Sequence, residues 1–390
     1  GDELLVHVAR KLKKCVRLDD RKDASRGRDM VARMGGDEFT VLLDDVHDPQ
    51  VPITVAQRVC EELAKPFILS GHAVNTTVSI GVRMCDHTCN SPDTLLRDCD
   101  LAMYRAKAAG KARHAVFDET MHTVAMTRLQ LENDLRFAIR QGQLELHYQP
   151  VVSLESGDLQ GFEALLRWIH PQRGIVMPAH FIPIAEETGL IVEIGGWVMR
   201  QALTQLQRWR CLRTARHPLT MCINLSKAQM ADSELVERLN DALRKADVDP
   251  RSLYLEVTET EIMEDQQMVV KALHQVRQLG VRTAMDDFGT GSSSLASLHN
   301  FPIDVLKIDQ AFVQSMGRSR AHSAIVHAIV SLAQNLNMQV VAEGVETHEQ
   351  LVQLQALDSK HAQAYLFSQP LPAAAAELLL TGRSTFARTA

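Results

Sequence analysis

The chain has 390 residues, of which 45% are hydrophobic, and it carries a formal net charge of -6. Because single cores rarely grow beyond about 250–300 residues, this length predicts two domains. The acidic balance argues against a general nucleic-acid-binding surface, and no apolar run approaches the roughly 20 residues that a membrane-spanning helix needs.

The seven cysteines are scattered and odd in number, which is typical of reduced thiols rather than of a disulfide framework. The first residues show no signal-peptide pattern. We therefore expect a cytoplasmic protein, or the cytoplasmic part of a longer membrane-attached sensor. The one local cluster, Cys85 to Cys89, offers two thiols to a metal, but it lacks a tight C-x-x-C pair and a second pair, so a zinc site is disfavoured.

Residues 1–117 mix helical and strand-like stretches, and we assign them to one small α/β domain with a mainly antiparallel sheet. A helix is predicted from the first residues, a hairpin around the Gly35-Gly36 turn, a helix near 53–65 and a strand at 75–84. A further helix at 91–111 has Ser91 or Asp93 as its N-cap and Gly110 as its stop signal. Since no strand precedes the opening helix, we expect this domain to lack its first strand.

Residues 118–136 are predicted to form a linker helix, because the sequence from Phe117 to Gly142 is helical in character and contains no proline. Beyond it, in residues 137–390, strand-like runs alternate with amphipathic helices. About eight such runs favour a parallel (β/α)8 barrel of the TIM type. The runs are LHYQPVV, LQGFEALLRW, TMCINLS, LYLEVTE, VRTAMDD, VLKID, VVAEGVE and QAYLFSQP.

Polar residues stand at the C-terminal ends of these strands, one strand after another. In a barrel of parallel strands all those ends meet on one face, where active sites of this fold are built. The residues are Glu163, Asn224, Glu256, Asp286, Asp287, Lys307, Glu343 and Gln363.

The five carboxylates of this set would repel one another unless cations were bound between them. Hard oxygen ligands in this number suit Mg²⁺ or Mn²⁺ rather than zinc or copper, and a shared carboxylate such as Asp286 beside Asp287 is what two neighbouring metals require. Each residue by itself is equally well explained as a polar strand end entering a loop, but the repetition over successive strands disfavours that explanation. Arg167, four residues after Glu163, is either a phosphate contact or a surface ion pair.

The motif EALLRW, Glu163 to Trp168, resembles the signature of the EAL-domain cyclic di-GMP phosphodiesterases. The resemblance covers residues 137–390 and includes YQPVV, INLS, LEVTET, DDFGTG, LKID and AEGVE in the expected order. It implies a barrel that uses two Mg²⁺ or Mn²⁺ ions to hydrolyse cyclic di-GMP to the linear dinucleotide pGpG. It also implies a homodimer formed through the barrel.

The resemblance assigns a role to each polar residue by its position in these motifs. Glu163, Asn224, Glu256 and Asp286 match the ligands of one metal, and Asp286, Asp287 and Glu343 match those of the other. Lys307 would orient or help to deprotonate the attacking water, Gln363 would support that water, and Gln149 and Arg167 would contact the substrate. Glu259 matches a glutamate that steadies the loop after the aspartate pair, and Glu346 matches a neighbour of the metal ligands.

Three positions depart from the family pattern, and none of them is a metal ligand. Ser292 replaces an aromatic residue in the loop after DDFGTG, Ala364 replaces the glycine that usually follows the glutamine, and Lys360 stands where an acidic residue is common. Ser292 is expected to loosen that loop and to leave activity weak or regulated.

The stretch RMGGDEFTVLL resembles the GGDEF signature of diguanylate cyclases. Gly35 and Gly36 would let the backbone approach a guanine nucleotide, Asp37 and Glu38 would help to hold Mg²⁺, and Lys107 and Lys111 match triphosphate contacts. Arg26 and Asp29 fit the R-x-x-D inhibitory site for cyclic di-GMP, although any charged loop can contain so short a motif. The metal-binding aspartate of the family's first strand has no counterpart, so we expect a degenerate site that binds GTP or cyclic di-GMP without cyclase activity.

Two functional hypotheses follow, besides a bifunctional cyclase-phosphodiesterase, which would need the missing first strand and therefore a longer native chain. The first is a metal-dependent cyclic di-GMP phosphodiesterase with an inactive or regulatory GGDEF part. The second is a receptor that binds cyclic di-GMP without cleaving it and passes the signal to a partner. The complete set of predicted metal ligands favours the enzyme.

Overall fold

The computed structural model describes residues 2–16, 29–69, 71–85, 91–212, 218–289 and 295–381. The chain divides into two compact units, Gly1–Gln130 and Leu131–Ala390, each with its own hydrophobic core. In the described part of the chain, no helix combines the length and the apolar character that a membrane span requires.

The first unit consists of short strands and of amphipathic helices whose apolar residues contribute to its core. Its elements are α1 (Asp2–Cys15), β1 (Met30–Gly35), β2 (Glu38–Leu42), α2 (Gln50–Leu63), β3 (Phe67–Leu69), β4 (His72–Val74), β5 (Ile80–Val82), α3 (Pro92–Ala108), β6 (His114–Val116) and the beginning of α4 (Glu119–Ala138). Its described strands form three separate pairs: β1 with β2 and β3 with β4 are antiparallel, and β5 with β6 is parallel.

The sequence predicts this unit well where local signals are strong. The hairpin around Gly35-Gly36 is confirmed, and Ser91 rather than Asp93 caps α3, since its side chain accepts a hydrogen bond from the Thr94 amide. The strand predicted at 75–84 is wrong for most of its length, because its partner β6 has only three residues and pairing stops where the partner ends. The β3–β4 hairpin was not predicted.

The second unit is a closed barrel surrounded by helices. Its strands are β7 (Leu144–Ser153), β8 (Leu159–His170), β9 (Gly174–Val176), β10 (Thr220–Asn224), β11 (Leu253–Thr258), β12 (Arg282–Phe288), β13 (Val305–Ile308), β14 (Gln339–Glu343), β15 (His361–Gln363) and β16 (Leu371–Pro372). Its helices are the end of α4, then α5 (Pro178–Glu187), α6 (Leu190–Leu212), α7 (Lys227–Met230), α8 (Leu235–Ala246), α9 (Glu259–Glu264), α10 (Gln266–Gln278), α11 (Gln310–Gln314), α12 (Arg320–Asn335), α13 (His348–Ala356) and α14 (Ala373–Thr381), with 3-10 turns at Pro250–Ser252 and Leu295–Asn300.

Eight strands close the barrel in the order β7-β15-β14-β13-β12-β11-β10-β8, and β8 pairs back to β7. The TIM-type barrel is therefore confirmed, but one strand runs against the others, since β7 is antiparallel to both β8 and β15. The reason lies in the connection: only residues 154–158 join β7 to β8, and a parallel pair needs a crossover of a dozen or more residues.

The last predicted strand, QAYLFSQP, is largely wrong. The strand is His361–Gln363, which pairs with β14 and β7, and the chain then turns. Tyr365 and Leu366 in that turn are exposed, so their apolar character does not reflect burial in the barrel.

Side chains fill the barrel interior in layers, because alternate residues of a strand point to the same face. One layer is apolar and consists of Val151, Cys222, Tyr254, Ala284, Val305 and Val341. The outer faces of the same strands pack against the helices in the main core, where Phe162, Trp168 and Trp209 are fully buried.

Candidate active site

A ring of polar side chains lies one layer above the apolar layer, at the C-terminal ends of the parallel strands. On β10 to β14 each polar residue follows the apolar interior residue by two positions, so the period of the strand places both on the inner face. The ring consists of Gln149, Glu163, Asn224, Glu256, Asp286, Lys307, Glu343 and Gln363.

Lys307 lies at the centre of this ring. Its Nζ is 2.7 Å from Glu343 Oε1, 2.9 Å from Glu256 Oε2, 3.1 Å from Glu163 Oε2 and 3.4 Å from Asp286 Oδ1. The lysine side chain is only 3% exposed, so these carboxylates compensate its buried charge.

Amide side chains fix the orientation of Glu163. Asn224 Nδ2 donates to Glu163 Oε1 at 2.7 Å, and Gln363 Nε2 donates to Glu163 Oε2. The same Gln363 nitrogen also donates to Gln149 Oε1 at 3.1 Å. Side chains from three other strands, Asn224, Lys307 and Gln363, therefore hold this carboxylate, and Gln149 contacts the site through Gln363.

Asp286, Asp287 and Glu343 form a cluster whose ligand oxygens all lie within 4.8 Å of one another. Asp287 reaches this position with a positive φ of 53°, and its amide donates to Asp286 Oδ1 at 3.0 Å. A non-glycine residue with this backbone conformation is strained, which is common where a side chain is aimed at a ligand.

Burial and like charges raise several carboxyl pKa values in this site. Burial raises the pKa of Glu343 to about 8, with Lys307 opposing the shift and Asp286 and Glu163 adding to it. Burial also raises the pKa of Asp287 to about 6, and the charge of Asp286 adds to that effect. Burial and the charge of Glu163 raise the pKa of Glu256 well above its ordinary value.

The pKa values of Glu163 and Lys307 shift in the direction that favours their charged forms. Burial alone would raise the pKa of Glu163, but Lys307 and the two amide donors hold it below its ordinary value. Burial would lower the pKa of Lys307, but the surrounding carboxylates raise it well above its ordinary range. These shifts favour the cationic form of Lys307 and the anionic form of Glu163.

The remaining predicted residues of the barrel lie around this ring. Glu259 is buried and its Oε2 accepts a hydrogen bond from the Gly289 amide at 2.8 Å, two residues after Asp287. Glu346 is exposed, and its Oε1 accepts from Gln314 Nε2 at 3.0 Å. Both Gln314 and Glu346 line a cavity of about 250 Å³ that opens onto Glu163, Lys307 and Glu343.

Arg167 lies on the same face of β8 as Glu163 and Leu165, since the three alternate along the strand. Its side chain is mostly buried, and its Nη1 donates to the Leu166 carbonyl at 2.8 Å. Burial lowers its pKa, and the charges of Tyr365 and Glu163 oppose that shift.

The three departures from the family pattern have different surroundings. Ser292 lies outside the described residues. Lys360 is exposed and forms a 2.6 Å ion pair with Asp358, and Ala364 is buried at the cavity wall. Neither Lys360 nor Ala364 contacts a predicted metal ligand in the hydrogen bonds and ion pairs that the structure gives.

The GGDEF residues lie on the first unit, away from any described carboxylate cluster. Gly35, Gly36, Asp37 and Glu38 are exposed in the β1–β2 turn, and Lys107 and Lys111 are exposed at and beyond the end of α3. Asp29 Oδ1 accepts from the Asp44 amide at 3.1 Å. Arg26, most of the Cys85–Cys89 cluster and the other masked positions lie outside the described residues.

Asp309 is a further residue of the site that was not predicted from the sequence. Its side chain shares a hydrogen bond with Asp287, and its charge contributes to the raised pKa of that residue. The signal was available, because Asp309 ends the motif LKID two positions after Lys307, but its proximity to Asp287 depends on the pairing of β12 with β13.

The donor set fits a hard divalent cation. Carboxylate and amide oxygens predominate, and among the described buried polar atoms Gln363 Oε1 has no hydrogen-bond partner although Gln363 is only 4% exposed. An unpartnered oxygen in such a place calls for a donor such as water or for a cation.

Comparison with known proteins gives the family. The model of the EAL domain matches residues 132–370, and the model of the diguanylate cyclase, GGDEF domain, matches residues 1–113. The bifunctional diguanylate cyclase/cyclic di-GMP phosphodiesterase MucR of Pseudomonas aeruginosa is 39% identical over 373 residues, which cover 96% of this chain and 53% of MucR. Cyclic di-GMP phosphodiesterase NbdA of the same organism is 38% identical over 381 residues, covering 97% of this chain and 47% of NbdA.

A solved structure of the PaMucR phosphodiesterase in complex with c-di-GMP is 42% identical, with a TM-score of 0.60, and covers 63% of this chain and 99% of that one. The chain spans about half the length of the two curated relatives. The family match covers the whole barrel, including the ring around Lys307. The chain therefore belongs to the EAL-domain family, with a GGDEF domain preceding the EAL barrel in the same polypeptide.

Proposed function

We propose that the barrel is a divalent-metal-dependent phosphodiesterase that hydrolyses cyclic di-GMP to linear pGpG. The observation that carries the proposal is the ring itself: four carboxylates lie within 3.4 Å of a buried lysine, and two of them, Asp286 and Glu343, also form with Asp287 a group whose ligand oxygens lie within 4.8 Å of one another. The names of the relatives, which include cyclic di-GMP phosphodiesterases, support the substrate.

Glu163, Asn224, Glu256 and Asp286 would hold one Mg²⁺ or Mn²⁺ ion, and Asp286, Asp287 and Glu343 the other. When bound, such ions supply Lewis-acid activation of a water and neutralise charge on the attacking and leaving oxygens. The protein's own groups do the rest: Lys307 and Gln363 orient the water, and Arg167 binds a phosphate oxygen of the substrate. Gln149 acts through Gln363 and borders the same cavity.

The first unit is proposed to regulate the barrel and not to synthesise cyclic di-GMP. GTP or cyclic di-GMP is the ligand that its GGDEF residues would bind. We further propose that the protein acts in the cytoplasm and that the barrel forms a homodimer.

Product analysis tests the enzyme directly. Purified protein is incubated with cyclic di-GMP and Mg²⁺ or Mn²⁺, and the expected product is pGpG, with no turnover in EDTA. Glu163→Ala should reduce kcat by at least about 10³-fold, because it removes a metal ligand and the anchor of Gln363. Glu237→Ala, which removes an exposed carboxylate on α8, is the matched control and should leave kcat unchanged.

The competing function is a receptor that binds cyclic di-GMP without cleaving it. Tight binding with no pGpG under either metal would establish the receptor and overturn the enzyme. Full activity in Glu163→Ala would show that the metal ligands are assigned wrongly.

A further inference from the structure

The helix α4 is anchored to the outer end of β8 by a buried histidine. Leu131, Leu135 and Ala138 of α4 are buried in the barrel core, and between them Asp134 Oδ2 lies 3.2 Å from Nε2 of His170. His170 is the last residue of β8 and is 4% exposed. This contact belongs to none of the roles assigned above.

The imidazole of His170 is held in one tautomer and one orientation. Its Nδ1 accepts a hydrogen bond from the Gln172 amide at 3.2 Å, so in the neutral ring the proton is on Nε2 and is donated to Asp134. The ring also packs edge-on against Trp168, with 5.1 Å between the centroids. Asp134 is therefore the acceptor that ties the ring to α4.

The end of β8 has left the barrel ladder on one side, although the Ile169 amide still donates to the Gln143 carbonyl at 2.7 Å on the other. The pairing of β8 with β10 ends at Ala164, whereas the pairing with β7 continues to Trp168. Beyond that point β8 pairs only with β9, a strand of three residues at the edge of the sheet. Arg167 lies in this extension, three residues before His170.

Glu163 lies in a much firmer part of the same strand. It is paired on both sides and receives side-chain hydrogen bonds from Asn224, Lys307 and Gln363. The Arg167 side chain donates a hydrogen bond to the neighbouring Leu166 carbonyl, which moves with the same strand. A shift of the outer end of β8 would therefore displace Arg167 and leave Glu163 in place.

We propose that Asp134 and His170 are positioning residues that set the place of Arg167, and thereby the affinity for the substrate phosphate, from α4. This inference rests on the proposed function for the identity of the substrate. α4 begins at Glu119 in the first unit and ends at Ala138 in the second. The contact between Asp134 and His170 therefore links this helix to β8, the strand that carries Arg167.

The test compares four versions of the full chain: wild type, Asp134→Ala, Asp134→Asn and Glu132→Ala. Asp134→Ala removes the acceptor, and we expect KM for cyclic di-GMP to rise about three- to tenfold, as for the loss of one hydrogen bond, with kcat unchanged. Asp134→Asn keeps an oxygen that accepts from Nε2–H and should restore the wild-type KM. Glu132→Ala removes a different carboxylate of α4, which pairs with Arg136, and should have no effect on KM.

The dissociation constant of cyclic di-GMP, measured calorimetrically without divalent metal, gives a readout that does not require turnover. A three- to tenfold weaker binding of cyclic di-GMP in Asp134→Ala alone would support the proposal even if the wild type formed no pGpG. Absence of pGpG would overturn only the proposed function. Equal KM and dissociation constants in wild type and Asp134→Ala would overturn the positioning role. So would a parallel loss of kcat, metal affinity and thermal stability, since that pattern indicates a general structural defect.

Discussion

Lys307 determines the charge balance of the site at the scale of single residues. Four carboxyl groups surround one buried ammonium group, which compensates part of the negative charge that they bring together. Such a network is costly to assemble, but removing one partner is far more costly, because the others are left buried without compensation.

Replacing Lys307 by Met should destabilise the metal-free protein by about 3–5 kcal/mol, since a buried charge network loses its only described cation. Urea unfolding followed by tryptophan fluorescence measures this loss. Saturating Mg²⁺ should recover part of it, whereas Lys245→Met, at an exposed position of α8, should change stability little with or without Mg²⁺. Unchanged stability in Lys307→Met would show that the carboxylates do not depend on the lysine.

The pKa values of Glu343 and Asp287 predict that cation binding competes with protons. Both are raised, to about 8 and about 6, so the folded metal-free protein holds protons that a cation must displace. Mg²⁺ affinity should therefore fall by a factor on the order of 10 to 100 between pH 8 and pH 6. Titration calorimetry in two buffers of different ionisation enthalpy measures the affinity and the released protons; equal affinity and no proton release at the two pH values would contradict the prediction.

At the scale of elements, the loop after β12 is fixed from outside the strand. Glu259, the first residue of α9, accepts from the Gly289 amide two residues after Asp287. Gly289 has a φ of 102°, and a Cβ there would lie 2.8 Å from Phe312, so the turn admits glycine only. The direction of the aspartate pair thus depends on a neighbouring element.

Replacing Glu259 by Ala should lower the free energy of unfolding by about 1–3 kcal/mol, because it removes the acceptor of the Gly289 amide. It should also weaken Mg²⁺ binding several-fold, since the chain that carries Asp286 and Asp287 is less constrained. The control is Glu264→Ala at the other end of α9, where the exposed carboxylate pairs with Lys227. Equal Mg²⁺ affinity in the two variants would mean that the aspartates hold their positions without Glu259.

The elements also show where the sequence is a reliable guide. β8 was predicted nearly in full, because the polar inner residues Glu163 and Arg167 lie in a run of otherwise apolar residues that are mostly buried on both faces. The strand predicted for QAYLFSQP is wrong after Gln363, because β15 ends there and the exposed Tyr365 and Leu366 follow it in a turn. β7 runs antiparallel to β8 because the connection between them is short. The length of that connection predicts the direction only when the two strands are known to pair with each other.

At the scale of the whole molecule, the two units should respond differently to Mg²⁺. The three tryptophans, Trp168, Trp197 and Trp209, all belong to the second unit, so their fluorescence reports on the barrel alone. At about 100 times the dissociation constant, Mg²⁺ adds about 2.7 kcal/mol to the stability of the unit that binds it. The fluorescence melting midpoint should rise by about 5–10 °C.

Circular dichroism, which reports on both units, should show in addition a transition that Mg²⁺ leaves in place. Asp286→Asn should abolish the fluorescence shift, because Asp286 belongs to both proposed ligand sets. An equal Mg²⁺-induced shift of both transitions would show that the two units unfold together or that both bind the ion.

The sequence by itself determined the residue types of the site, their places on successive strands and the family to which they belong, although Glu163 lies within β8 and not at its end. These are local properties, since motif and period-2 alternation are visible within each strand. The tertiary structure decided what those residues do to one another. Lys307 lies 144 residues from Glu163, and only closure of the barrel brings the ammonium group into the centre of four carboxylates. Asp309 beside Asp287 and Asp134 beside His170 depend in the same way on contacts between elements, which no local pattern records.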